Sequence, residues 1–128
     1  RATYDGKGYY CKDTFFVAHL NEDLKKDYNI KFFLALLNSK LLHYYYANIY
    51  KGTHVAGGYL HYLIGYLYSI PVAVPTKKQQ LEIVALVEKI LSAKENKEYV
   101  LFDNKIDEAV YNLYNLDRQE IKTVNSFI

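Results

Sequence analysis

From Asn29 onward, apolar side chains recur at helical spacing: Ile30, Phe33, Leu34, Leu37, Leu41, Tyr44 and Tyr45. Lys31, Asn38, Ser39 and His43 fall mostly on the other side, so the pattern predicts an amphipathic helix capped by Asn29 and spanning 29–50. Before it the pattern is different. Tyr9, Tyr10, Thr14, Phe15, Phe16 and Val17 are β-formers, punctuated by Asp5, Gly6 and Gly8, which favour turns, and they predict a β-rich portion over 1–28.

Residues 51–75, KGTHVAGGYLHYLIGYLYSIPVAVP, carry no charge after Lys51 but hold four tyrosines, two histidines and four glycines. A membrane span needs roughly 20 predominantly apolar residues. Gly57, Gly58, His61, Gly65, Ser69 and Pro71 break the run, so it divides more naturally into three parts. These are a glycine-rich loop over 51–58, a helical turn over 59–64 and a strand over 67–74 stopped by Pro75. Leu60, Leu63, Ile64, Ile70, Val72 and Val74 form the expected buried underside, which accounts for the missing charge, because an unpaired buried charge is costly.

The back half reads as helix. Thr76 and Gln79 have capping-box spacing before a stripe of Ile83, Val84, Val87, Ile90 and Leu91. Asn104 is the expected cap of a helix carrying Ile106, Ala109, Val110 and Leu113, and Asn115 stands where a left-handed residue would close it. Asp117 and Glu120 repeat the cap spacing before Ile121 and Val124. The expected fold class is therefore α+β, a small mixed β-sheet packed with several helices and a mostly helical C-terminal half. One domain over 1–128 is expected, in four parts: 1–28 β-rich, 29–50 helix, 51–75 loop and strand, and 76–128 helices.

Composition adds little that is specific. Charged residues make up 23% and apolar ones 51%, an ordinary globular balance that excludes disorder. Cys11 is the only cysteine, so no internal disulfide forms and a reducing compartment is expected. A chain that opens on Arg1 and contains no methionine reads as a piece of a longer protein. The net charge of +2 does not announce nucleic acid, and Arg1, Lys7 and Lys40 read as solvated cations.

A self-sufficient active site is absent from the pattern. Gly57 and Gly58 match neither a dinucleotide fingerprint nor a P-loop, and Ser39 and Ser69 lie in no nucleophile elbow. His19, His43, His54, His61 and Cys11 have no familiar metal-ligand spacing, so no metal is expected. Asp117, Glu120 and Lys122 superficially suggest an acidic nuclease set, but helix capping accounts for the carboxylates more simply.

Five separated stretches, GYYCKDTFFV, LALLNSKLLHYYY, SIPVAVP, KKQQLEIVALVEKILSAK and IDEAVYNLYNLDRQEI, together resemble one family. It is the C-terminal specificity domain, or target recognition domain, of TaqI-like adenine DNA methyltransferases and of the fused type II restriction–modification enzymes that share it. The resemblance covers roughly residues 9–126, with the β-rich front truncated and Asn115 where glycine is common. It implies that this chain reads double-stranded DNA beside the parent's own methyltransferase domain, in a prokaryotic cytoplasm and off the membrane. Methyl transfer from S-adenosylmethionine is implied for that absent domain, because the chain lacks the Asn/Asp-Pro-Pro-Tyr/Phe motif and a cofactor loop. The fragment itself is then not expected to be an enzyme. The parent would be a site-specific adenine methyltransferase, with or without a fused endonuclease.

The same resemblance points to Lys51, Thr53, His54, Tyr59 and His61 as the DNA contacts, and after them to Tyr9, Tyr10 and Lys12. Lysine meets a phosphate or a guanine edge, and threonine or histidine can hydrogen-bond a base. Read without it, residues 51–61 are an exposed connector, and Tyr44, Tyr45 and Tyr46 are packing residues with their hydroxyls at the rim. The alternative function is a protein–protein interaction module using its tyrosine-rich face, since tyrosine is also favoured at protein interfaces.

Overall fold

The computed structural model of the chain describes residues 1–12, 15–50, 62–93 and 96–127. Within them the chain forms α1 (Ile30–Asn38), α2 (Lys40–Ile49), the single turn α3 (Ile64–Leu67), α4 (Lys77–Ser92), α5 (Asn96–Leu113) and α6 (Arg118–Phe127). No strand occurs among the described residues, so the expected α+β class is corrected to all-helical.

Local chemistry sets most helix ends. The Asn29 side chain accepts the Lys31 amide at the start of α1. Thr76 and Gln79 form a reciprocal capping box at α4. Asp117 accepts the Gln119 and Glu120 amides while the Glu120 carboxylate takes the Asp117 amide, the same reciprocal arrangement at α6. Asn115, at φ 55°, closes α5: its amide reaches the Asn112 carbonyl and that of Leu116 reaches Tyr111, which is a Schellman ending.

Two helix boundaries differ from expectation. The helix expected over 29–50 is divided at Ser39, whose backbone is extended (φ −68°, ψ 150°). Its hydroxyl donates to the Leu36 carbonyl and accepts the Leu42 amide, so one buried side chain serves the end of α1 and the start of α2. Asn104 caps nothing. It lies exposed within α5, which starts at Asn96, where a lone asparagine inside a helix costs at most about 0.7 kcal/mol and so does not end it.

The core is built where α4 packs along α5 and α1 packs on α4, with α2 against α1, α5 and α6. Phe32, Leu36, Ile83, Val87, Ile106 and Val110 are buried there. Of the stripe expected on α4, Ile83, Val84 and Val87 are buried and Ile90 is half-buried, but Leu91 is 47% exposed.

The missing strands have a physical cause. Over 70–75, Pro71 and Pro75 lack an amide, and the Tyr114 hydroxyl takes the place of a neighbouring strand by donating to the Pro71 carbonyl (2.8 Å) and accepting the Ala73 amide (3.3 Å). Ile70 and Ala73 turn to the core while Val72 and Val74 stand in solvent, so the expected alternation is not realised. Leu63 and Ile64 are likewise exposed; of the helical turn expected over 59–64, residues 59–61 lie outside the described residues, and α3 begins at Ile64. In the front part, the Asp5 carboxylate captures the amides of Lys7, Gly8 and Tyr9, a turn rather than a ladder. Residues 21–28 are folded into successive turns closed by Leu24 and Tyr28.

Candidate nucleic-acid interface

Lys51, Thr53, His54, Tyr59 and His61, together with Leu60, lie outside the described residues. The structure does describe what holds both ends of that segment. Tyr46 is buried in α2, at 1% exposure, and the rings of Tyr50 and Tyr62 pack on it at 4.9 Å and 4.6 Å between centroids. Tyr50 also stacks on Tyr66 of α3, at 4.1 Å with 7° between planes. The Tyr46 hydroxyl accepts the Leu63 amide at 3.0 Å. Residues 50 and 62, which bound 51–61, are therefore joined through one tyrosine cluster. Burial of Tyr62, and then the neighbouring Tyr46, push its phenol above the ordinary range, so it stays neutral.

Sequence reasoning missed this base. Its one signal is that both flanks carry tyrosines, Tyr46 and Tyr50 before the segment and Tyr62 and Tyr66 after it; helical spacing brings only Tyr46 and Tyr50 together, and the other contacts cross the segment. Of the YYY run, Tyr46 is buried and Tyr44 and Tyr45 are half-buried, Tyr44 edge-on to Phe127 at 5.3 Å.

Tyr9, Tyr10 and Lys12 are described, and all three are exposed, Tyr10 completely. They follow the turn organised by Asp5, whose carboxyl is held below its ordinary range by the Lys7, Tyr9 and Gly8 amides. Gly8 enters the left-handed region there (φ 75°), which a side chain would strain. The segment is tied down upstream: the Ala2 amide and carbonyl pair with the Asn38 side chain, and Lys31 lies over the Tyr4 ring at 5.4 Å. Phe15, Phe16 and Val17 beyond it are also exposed.

Two of the residues read as solvated cations also pair with α5, Arg1 while remaining largely in solvent. Arg1 meets Asp103 at 2.9 Å, and Lys40 gives its amide to Asp107 Oδ1 at 2.8 Å with its ammonium 3.4 Å from Oδ2. A carboxylate at Asp107, beside Ile106 and three residues before Val110, was the available signal, because an acid on an apolar stripe requires a partner.

Two cavities lie among the described residues. One, about 230 Å³, lies between α4 and α5 among Gln79, Glu82, Lys105 and Glu108. The other, about 150 Å³, is apolar and lined by Leu41, Leu42, Tyr45, Ile70, Pro71, Tyr114 and Leu116. Among the described residues no group of three histidine, cysteine or carboxylate side chains is placed to hold a metal, and no helix is long and apolar enough to cross a membrane.

A family model, the TaqI-like C-terminal specificity domain, matches residues 1–72. No curated protein and no solved structure matches the chain.

Proposed function

Because the chain belongs to the family of TaqI-like C-terminal specificity domains, with the DNA-recognition role in restriction–modification that this membership carries, we propose that residues 51–61 read the DNA sequence from the tyrosine base. Lys51 supplies a phosphate or guanine contact, and Thr53, His54 and His61 supply hydrogen bonds to base edges, with Tyr59 beside them. The observation that carries the reading is the closure of both flanks through Tyr46, Tyr50, Tyr62 and Tyr66, which fixes where a segment rich in polar side chains leaves the helical core. Tyr9, Tyr10 and Lys12, presented after the Asp5 turn, form a second DNA contact.

On this reading the duplex is held here while a separate methyltransferase domain of the parent flips and methylates an adenine with S-adenosylmethionine. Specific recognition beside the flipped base is what such chemistry requires of a second domain. The work is cytoplasmic.

The test is alanine at His54 and at His61 in the full-length parent. Methylation of the cognate site should fall by the equivalent of about 1–3 kcal/mol of discrimination per lost base contact, with no change in melting temperature. Normal methylation by both variants would show these side chains idle, and early melting by both would show them structural.

A second reading rests on exposed Phe15, Phe16 and Val17, which favour docking to another protein. Salt separates the two: DNA binding weakens linearly in log salt, and an apolar protein contact does not.

A further inference from the structure

We propose that Tyr46 is the positioning residue of DNA discrimination, acting through the two flanks of 51–61 and touching no DNA itself; this rests on the assignment of that segment to base reading. Three observations converge on one buried side chain. Its ring carries Tyr50, the last described residue before the segment, and Tyr62, the first after it. Its hydroxyl accepts the Leu63 amide at 3.0 Å. Its own position is fixed at 1% exposure in α2, a helix whose first turn is pinned by Ser39 and Asp107.

The chemistry divides the work between ring and hydroxyl. The ring sets the distance between the flanks, since both neighbouring tyrosines pack on it. The hydroxyl sets the rotation of the returning strand of chain, because a hydrogen bond to a backbone amide fixes direction where ring packing tolerates sliding. Base reading depends on donor and acceptor placement to a fraction of an ångström, so a return path free to rotate should blur discrimination before it weakens the attraction to phosphates. Phosphate attraction is long-ranged and tolerates such movement.

Tyr46→Phe keeps the ring and removes the acceptor of the Leu63 amide, so it tests the hydroxyl without opening a cavity. Tyr111→Phe is the matched control: it also loses a hydroxyl contact in the helical body, to Asn125 Oδ1 at 3.0 Å, but touches neither flank. The 128-residue chain is used to select from a pool of random duplexes about 20 base pairs long, a length that exceeds a typical half-site spacing. Affinity for the most enriched duplex is then compared with that for a scrambled duplex of the same composition, across a salt series.

For Tyr46→Phe the preference should fall about tenfold, the scale of one lost base contact, with unchanged affinity and salt slope on the scrambled duplex. Amide exchange at Leu63 should quicken in the same variant, and Tyr111→Phe should keep the wild-type preference. Equal loss of preference in Tyr111→Phe would assign the effect to general stability and overturn the positioning role. So would an unchanged preference in Tyr46→Phe despite faster exchange at Leu63. Should Tyr46→Phe fail to fold, Tyr66→Leu, at a half-buried position, loosens the same flank, and an unchanged preference there overturns the role. A wild-type chain that binds every duplex alike would overturn the base-reading assignment itself, and this proposal with it.

Discussion

The rings of Tyr50 and Tyr66 lie nearly parallel, 4.1 Å apart between centroids with 7° between planes, although all of 51–61 separates them along the chain. Such a contact between the end of α2 and the short α3 is what holds a four-residue helix whose own residues are all at least partly exposed. An isolated turn of that length does not persist in water, since helix nucleation fixes several residues for one hydrogen bond. The tyrosines supply what α3 cannot.

That dependence predicts measurable coupling. In a double-mutant cycle of Tyr50→Leu and Tyr66→Leu, urea denaturation should give a coupling energy of about 0.5–1.5 kcal/mol, the usual worth of an aromatic pair beyond its buried area. Additive effects would mean that the two rings merely share a neighbourhood.

A second prediction separates the core from the segment once expected to be a strand. Leu36, at 1% exposure among Phe32, Ile83 and Val110, should cost about 2–5 kcal/mol on replacement by alanine, through lost burial and the cavity left behind. Val74→Ala, at 80% exposure, should change stability by no more than about 0.5 kcal/mol. Chemical denaturation with a constant slope is the measurement. A large loss at Val74 would place residues 70–75 against a surface after all.

The contrast between those two residues shows what kind of information the sequence held. Asn29, Thr76 with Gln79, Asp117 with Glu120, and Asn115 each act on amides or carbonyls within about one turn, so their roles could be read locally. The strand over 67–74 failed because an alternating apolar run needs a neighbouring strand, and the Tyr114 hydroxyl, far along the chain, took that place. Ser39 divided a continuous helical pattern because its hydroxyl competes for backbone groups, which periodicity does not register. For the site, the candidate segment rests on its polar side chains and the family resemblance and lies outside the described residues, while its tyrosine base depends on contacts across the segment that helical spacing does not register. The Asp107 partnership with Lys40 required knowing that α5 meets the start of α2.

Asp107 gives the last prediction. At 6% exposure, it serves the first turn of another helix by accepting the Lys40 amide, where the positive end of the α2 dipole also favours a carboxylate. Burial nevertheless raises its pKa above the ordinary value, opposed by the Lys40 amide and ammonium and assisted by the nearby Asp103. A carboxyl with a raised folded pKa holds its proton longer in the folded than in the unfolded chain. Between the ordinary value of about 3.9 and the raised one, the folded state therefore binds more protons, and the contribution of Asp107 to stability falls as pH rises. Asp107→Asn keeps an acceptor for the Lys40 amide but does not titrate, so it should remove this fall and equal or exceed the wild type above the window. Asp107→Ala leaves the amide without its acceptor and should cost about 1–3 kcal/mol across the range. Urea denaturation in steps from about pH 4 to about pH 7, with the variants compared against the wild type, isolates the contribution of this one group. If the wild type instead gained stability relative to Asp107→Asn as pH rose, the pair with Lys40 would outweigh burial, and Asp107 would be a stabilising ion pair rather than a tolerated buried acid.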